Sequence, residues 1–137
     1  MSLFVDTSIW YAAADASDPD NGRAKEILVS EEGLLLSDHV LIESWTLIRH
    51  RIHRAAAERY WEAIRNGAAQ VEAVGLADLE AARQMGEAWG DQDFSLVDRT
   101  SFAVMRRLGI ERAASLDEHF AVFRYGPQNR QALTVLR

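Results

Sequence analysis

The sequence predicts a three-layer α/β/α domain built on a central, mostly parallel sheet of five strands. Three observations support this. Short apolar runs of strand character (Leu3-Phe4-Val5, Leu34-Leu35-Leu36, Ala113-Ala114-Ser115-Leu116) alternate with helical stretches, and strands separated by helices are joined by right-handed crossovers into parallel sheets. The first two runs are apolar throughout, as strands buried on both faces must be. The chain has 137 residues, 48% hydrophobic and 26% charged, the size and composition of one globular domain spanning 1–137.

Leu3-Phe4-Val5 ends at Asp6, and Thr7 or Ser8 is expected to cap a helix running through residue 14. Ser17-Asp18-Pro19-Asp20-Asn21-Gly22 is the clearest loop. A short helix over 23–30 follows, and Gly33 opens the second strand. Ser37 and Asp38 are cap candidates for a helix in which Leu41, Trp45, Ile48 and Ile52 fall at i, i+4, i+7 and i+11. A helix over 55–66 closes at Asn66-Gly67, and residues 70–74 alternate like a strand. Residues 78–89 read as a helix with Leu79, Ala82, Met85 and Trp89 on its inner stripe. Ser95 starts the next helix, which Gly109 terminates. A weaker strand over 113–116 ends at Asp117, followed by a short helix over 118–123 and a last edge strand over 133–136.

Composition excludes several classes of function. With no cysteine there is no disulfide framework, thiolate metal site or thiol nucleophile. No apolar run approaches the roughly 20 residues of a membrane span, and no basic segment precedes an apolar one at the N-terminus, so a cytoplasmic protein with no membrane partner is expected. The net charge is −6, from 15 Lys+Arg against 21 Asp+Glu. That balance is compatible with a nucleic-acid partner. Lys25 is the only lysine, and arginine suits bidentate phosphate contacts; a site for divalent cations also needs surplus carboxylates.

Open parallel sheets bind ligands beyond the carboxyl ends of their strands, where Asp6 and Asp117 stand. Taken singly, each is better explained as an ordinary turn or cap residue. Glu43 has Val40 and Leu47 at i−3 and i+4, so its carboxylate emerges beside an apolar face and is expected to be partly buried. Asp98 has Phe94 and Phe102 at i−4 and i+4, with Met105 at i+7. An acid on such an inward stripe is costly without a partner, although its place near a helix start also suits a dipole partner. Four carboxylates in one cleft would repel and raise each other's pKa values. Divalent cations remove the conflict and support hydrolysis at phosphorus without a Ser, His or Cys nucleophile.

Phe4-Val5-Asp6-Thr7-Ser8, Glu43 in its apolar helix, the run from Asp93 to Phe102 and Ser115-Leu116-Asp117-Glu118-His119-Phe120 together resemble PIN-domain ribonucleases, most of all the toxin components of VapBC toxin–antitoxin pairs. The resemblance implies a PIN-like fold and an Mg2+- or Mn2+-dependent endoribonuclease. Its implied catalytic and metal-binding acids are Asp6, Glu43, Asp98 and Asp117. Ser8 and Ser115 are implied as supporting hydroxyls, and Asp93 as a further acidic position. An RNA substrate, a cognate antitoxin covering the cleft and a homodimer complete the expectation, with Ile9 or Trp45 as candidate dimer contacts.

The remaining polar features leave alternatives open. Arg49, Arg51 and Arg54, interleaved with His50 and His53, are either an RNA-phosphate patch or a solvated helix end. His39 and His119 each neighbour an acid and receive no catalytic role. Rival functions are a PIN-like RNA-processing nuclease outside a toxin–antitoxin pair, metal-free cleavage through His50 or His53, and a non-catalytic acidic interaction module. A phosphoacceptor receiver is disfavoured because Lys25, the sole lysine, lies far from the position such a domain requires.

Overall fold

The computed structural model describes residues 1–137. The elements run β1 (Leu3–Val5), α1 (Thr7–Ala14), α2 (Asn21–Ser30), β2 (Leu34–Ser37), α3 (Asp38–Arg51), α4 (Arg54–Ala63), β3 (Gln70–Glu72), α5 (Leu76–Ala88), α6 (Leu96–Leu108), β4 (Arg112–Ala114), α7 (Glu118–Val122), β5 (Arg124–Tyr125), β6 (Gln131–Ala132) and β7 (Thr134–Leu136). Five strands form the central sheet in the order β3-β2-β1-β4-β7, and every pairing in it is parallel. With helices packed on it, this is the expected α/β/α architecture. No helix is long and apolar enough to cross a membrane.

The central strand explains the order. All three residues of β1 are wholly buried, so the strand needs a neighbour on each side and helices on each face. The chain leaves β1 towards β2 on one side and returns through β4 on the other. The order therefore reverses between β1 and β4, where a crevice opens beyond the strand ends. The Asp6 backbone N–H donates to the Ala114 carbonyl at 3.0 Å, which carries the β1–β4 ladder up to that point.

Against this crevice packs an aromatic cluster. Phe102 stacks on Phe123 with centroids 4.1 Å apart and meets Phe120 edge-on at 4.9 Å, and Phe94 meets Phe102 at 5.3 Å. These rings hold α6 and α7 together, which fixes where Asp98 and Asp117 emerge. In α3, Leu41 and Ile48 are buried and Trp45 and Ile52 partly so, as the stripe predicted.

Some expectations require correction. The residue capping α1 is Asp6 itself, not Thr7 or Ser8. Helix α2 begins at Asn21, whose side-chain amide donates to the carbonyls of Ala12 and Ala13, so that residue closes α1 instead of extending the loop. The helix after α3 gives way at residue 64 to a wide turn in which Gly67 adopts φ 95°. Leu79 is 36% exposed while Asp78 is 4% exposed, because Asp78 caps α5 and pairs with Arg107 at 3.0 Å. Ile9 is fully buried in the core and so has no surface to offer a dimer. The antiparallel pair β5–β6 was not anticipated.

Candidate active site

Three of the four expected carboxylates stand at helix starts around the crevice. Asp6 is the N-cap of α1, Asp98 is the third residue of α6, and Asp117 is the N-cap of α7. Capping and clustering are therefore not rival explanations, since the same side chains do both. The helix ends also place partial positive charge near acids that would otherwise be strongly destabilised.

Asp6 is only 4% exposed. Its Oδ2 accepts from the hydroxyls of Ser8 and Ser115, both at 2.9 Å. Each hydroxyl is itself aimed by a backbone donor, since Ser8 Oγ accepts from Leu116 N–H and Ser115 Oγ from Asp117 N–H. Both protons consequently point at the carboxylate. Burial pushes the Asp6 pKa up to about 6; the two hydroxyls oppose the rise and the Asp98 charge adds to it.

Asp98 is 7% exposed. Its Oδ2 accepts from Ser95 N–H at 3.1 Å, and its N–H donates to Ser95 Oγ in a reciprocal cap. The same oxygen lies 2.8 Å from His119 Nδ1, which is 3.4 Å from Asp117 Oδ1. One ligand atom each from Asp98, Asp117 and His119 falls within 4.8 Å of the other two. Burial pushes the His119 pKa down, but the hydrogen bond to Asp98 and the charges of Asp117, Asp98 and Asp93 outweigh it and hold the pKa above its ordinary value. His119 is the residue that sequence reasoning missed. The available signal was its place two positions beyond a capping acid, where the first turn of α7 folds it back over Asp117.

Glu43 is half-buried in α3, where its Oε1 accepts from Thr7 Oγ1 at 2.6 Å. It is thus tied to the residue after Asp6, outside the tight Asp98–Asp117–His119 group. Asp93 is exposed, yet close enough for its charge to act on His119. The basic cluster is partly occupied elsewhere: the Arg51 guanidinium lies over the Tyr11 ring, Arg54 pairs with Glu58, and His53 Nδ1 caps α4 by accepting from Ala56 N–H. Arg49 and His50 are exposed.

Residues 3–124 match the PIN domain family. The chain belongs to that family. Among curated proteins, this PIN domain is 41% identical over 128 residues to the 23S rRNA-specific endonuclease VapC20 of Mycobacterium tuberculosis, covering 87% of this chain and 92% of that protein. It is 26% identical over 124 residues to Ribonuclease VapC26 of the same organism, covering 89% and 92%. The crystal structure of VapC20, described as a sarcin–ricin loop cleaving toxin, superposes with a TM-score of 0.83 at 38% identity, covering 88% of this chain and 94% of that one. The Pyrobaculum aerophilum protein PAE2754 shares the fold, with a TM-score of 0.63 at 16% identity over 98% of this chain and 83% of that one.

PIN nucleases are metal-dependent, and the residues present here fit that requirement. The donor set is rich in carboxylate oxygens with a single imidazole, the chemistry of a hard divalent cation. Asp6 is buried among hydroxyls with no positive side chain bonded to it, an arrangement that a cation would relieve.

Proposed function

We propose that this PIN domain is an endoribonuclease that hydrolyses RNA phosphodiester bonds with Mg2+ or Mn2+ and serves as the toxin of a toxin–antitoxin pair. The observation that carries this reading is the buried Asp6 carboxylate, fixed by two aimed hydroxyls beside the Asp98–Asp117–His119 group. Asp6, Asp98 and Asp117 would hold the cation, with Glu43 at the edge of the site. A bound divalent ion supplies charge stabilisation at phosphorus and lowers the pKa of a water.

The protein's own contribution is preorganisation. Ser8 and Ser115 restrict Asp6 to one orientation, so no reorientation is needed when substrate arrives. Ser95 does the same for Asp98, and His119 bridges Asp98 and Asp117. Arg49 and Arg51 at the end of α3, with Arg54 at the start of α4, would contact RNA phosphates outside the crevice. The similarity to VapC20, a sarcin–ricin loop cleaving toxin, supports a structured ribosomal RNA hairpin of that type as substrate. A small antitoxin covering the crevice, a homodimer and a cytoplasmic location belong to the same reading.

The test is incubation with a sarcin–ricin hairpin and with bulk RNA, followed by end-group analysis. Cutting that needs Mg2+ or Mn2+, leaves 5′-phosphate and 3′-hydroxyl ends, and disappears in Asp98→Asn is the expected result. EDTA-resistant cutting, or cyclic phosphate ends, would overturn it.

A further inference from the structure

Strand β1 is followed by an acid and two hydroxyls in succession, Asp6, Thr7 and Ser8. The two hydroxyls serve different neighbours. Ser8 Oγ bonds Asp6 and the Leu116 N–H beyond β4. Thr7 Oγ1 instead donates to Glu43 Oε1 at 2.6 Å, on the helix that follows β2. Since β2 and β4 flank β1 on opposite sides, the first turn of α1 is tied to the segments beyond both neighbouring strands.

The bond from Thr7 is the only hydrogen bond of the Glu43 side chain. Glutamates elsewhere on the helices pair with arginines, as Glu58, Glu62, Glu80 and Glu87 do. Glu43 has Val40 and Leu47 beside it on α3 and no cationic partner. A half-buried carboxylate without a counter-charge is costly, and its Oε2 has no partner in the protein. The helix itself does not require the Thr7 hydroxyl. Asp6 caps α1 by accepting from Ser8 N–H, and Thr7 is only 7% exposed, so a valine would fill the same space.

We propose that Thr7 is a positioning residue. By holding Oε1 it fixes the Glu43 carboxylate at the Asp6 end of the site and leaves Oε2 as the one oxygen offered to a divalent cation. The inference rests on the endoribonuclease reading above. Glutamate is among the side chains that lose most rotamer freedom when immobilised. A hydrogen bond that restricts it beforehand raises cation affinity without touching the ion. A small octahedral cation takes few protein oxygens and keeps several waters, which suits a carboxylate restricted to a single free oxygen.

The test is a Mn2+ titration of the full chain without RNA, with free Mn2+ read by electron paramagnetic resonance. Thr7→Val keeps the branched shape and loses the hydroxyl. It should weaken Mn2+ binding about tenfold, the common effect of deleting the hydrogen-bond partner of a metal ligand. Thr7→Ala is a second variant without the hydroxyl and should match it, while Thr7→Ser should restore most of the loss. Glu43→Gln should weaken binding at least as much, and Thr7→Val added to it should weaken binding no further. Unchanged binding in Thr7→Val and Thr7→Ala, unchanged binding in Glu43→Gln, a Thr7→Ser protein as weak as Thr7→Val, or additive losses in the double variant would overturn the proposal. In RNA cutting at limiting Mn2+, Thr7→Val should lower kcat with KM for RNA unchanged, and about tenfold more Mn2+ should restore the rate. A loss confined to KM, or one that Mn2+ does not restore, would also overturn it. A wild type that shows the coupled Mn2+ losses but cuts no RNA would refute the endoribonuclease reading and uphold the positioning role, whereas a wild type that binds no Mn2+ would overturn both.

Discussion

Replacing Asp6 with asparagine should stabilise the metal-free protein at neutral pH. Burial holds the Asp6 pKa at about 6 against an ordinary 3.8, and that gap corresponds to about 3 kcal/mol of preference for the neutral form in the folded state. The sign follows from proton linkage. Between the two values the folded state binds the proton that the unfolded state has released, so stability falls as pH rises through that window. Asparagine removes this penalty but gives up part of the Ser8 and Ser115 hydrogen bonding, at about 1 kcal/mol per bond. The net expectation at pH 7.5 in EDTA is a gain of about 1–2 kcal/mol, or roughly 5 °C in Tm. The gain should shrink as pH drops below 6, vanish near pH 5 and reverse by pH 4, where the lost hydrogen bonding outweighs what remains of the penalty. The raised pKa of His119 also makes stability fall with rising pH, but it does so in both proteins and cancels in the difference. Thermal unfolding of wild type and Asp6→Asn across pH 4–8 is the assay, and Mn2+ at pH 7.5 should raise Tm for the wild type only. An Asp6→Asn protein that is less stable at pH 7.5, or a gap independent of pH, would refute the burial argument.

Three further outcomes are expected. Ser115→Ala removes both a donor to Asp6 and the acceptor of Asp117 N–H; it should cost about 1–2 kcal/mol in urea unfolding and shift the pH dependence of stability further upward. Phe102→Ala empties the centre of the aromatic cluster and should cost about 3–5 kcal/mol by the same measurement. Arg107→Met leaves the Asp78 carboxylate buried without its cation and should cost about 2 kcal/mol at pH 7. Because Arg107 holds the Asp78 pKa below its ordinary value, that cost should fade as pH drops through the carboxylate range.

The legible parts of the sequence were those in which one residue type had a single physical reading. Asp98 stood on an inward aromatic stripe, and the structure buries it there beside Phe94 and Phe102. The apolar runs of β1 and β2 marked strands covered on both faces. Asp6 and Asp117 were ambiguous because an acid at a strand end can serve as cap and as ligand with the same side chain; the α1 cap was expected at Thr7 or Ser8, and the structure gives it to Asp6. His119 was not legible, since its role depends on the turn of α7 against α6, a tertiary relation with no periodicity. Asp78 defeated the amphipathic pattern of α5 because its partner, Arg107, is 29 residues away. The β5–β6 pair has two residues per strand, too few for alternation to register.

The central claim is that carboxylates far apart in sequence form one cation site. The direct measurement is the anomalous diffraction signal from crystals grown with Mn2+. The account predicts a peak within bonding distance of Asp6, Asp98 and Asp117 oxygens in the wild type and its loss in Asp98→Asn. A crevice without a peak at saturating Mn2+, or manganese bound only at surface carboxylates, would contradict it.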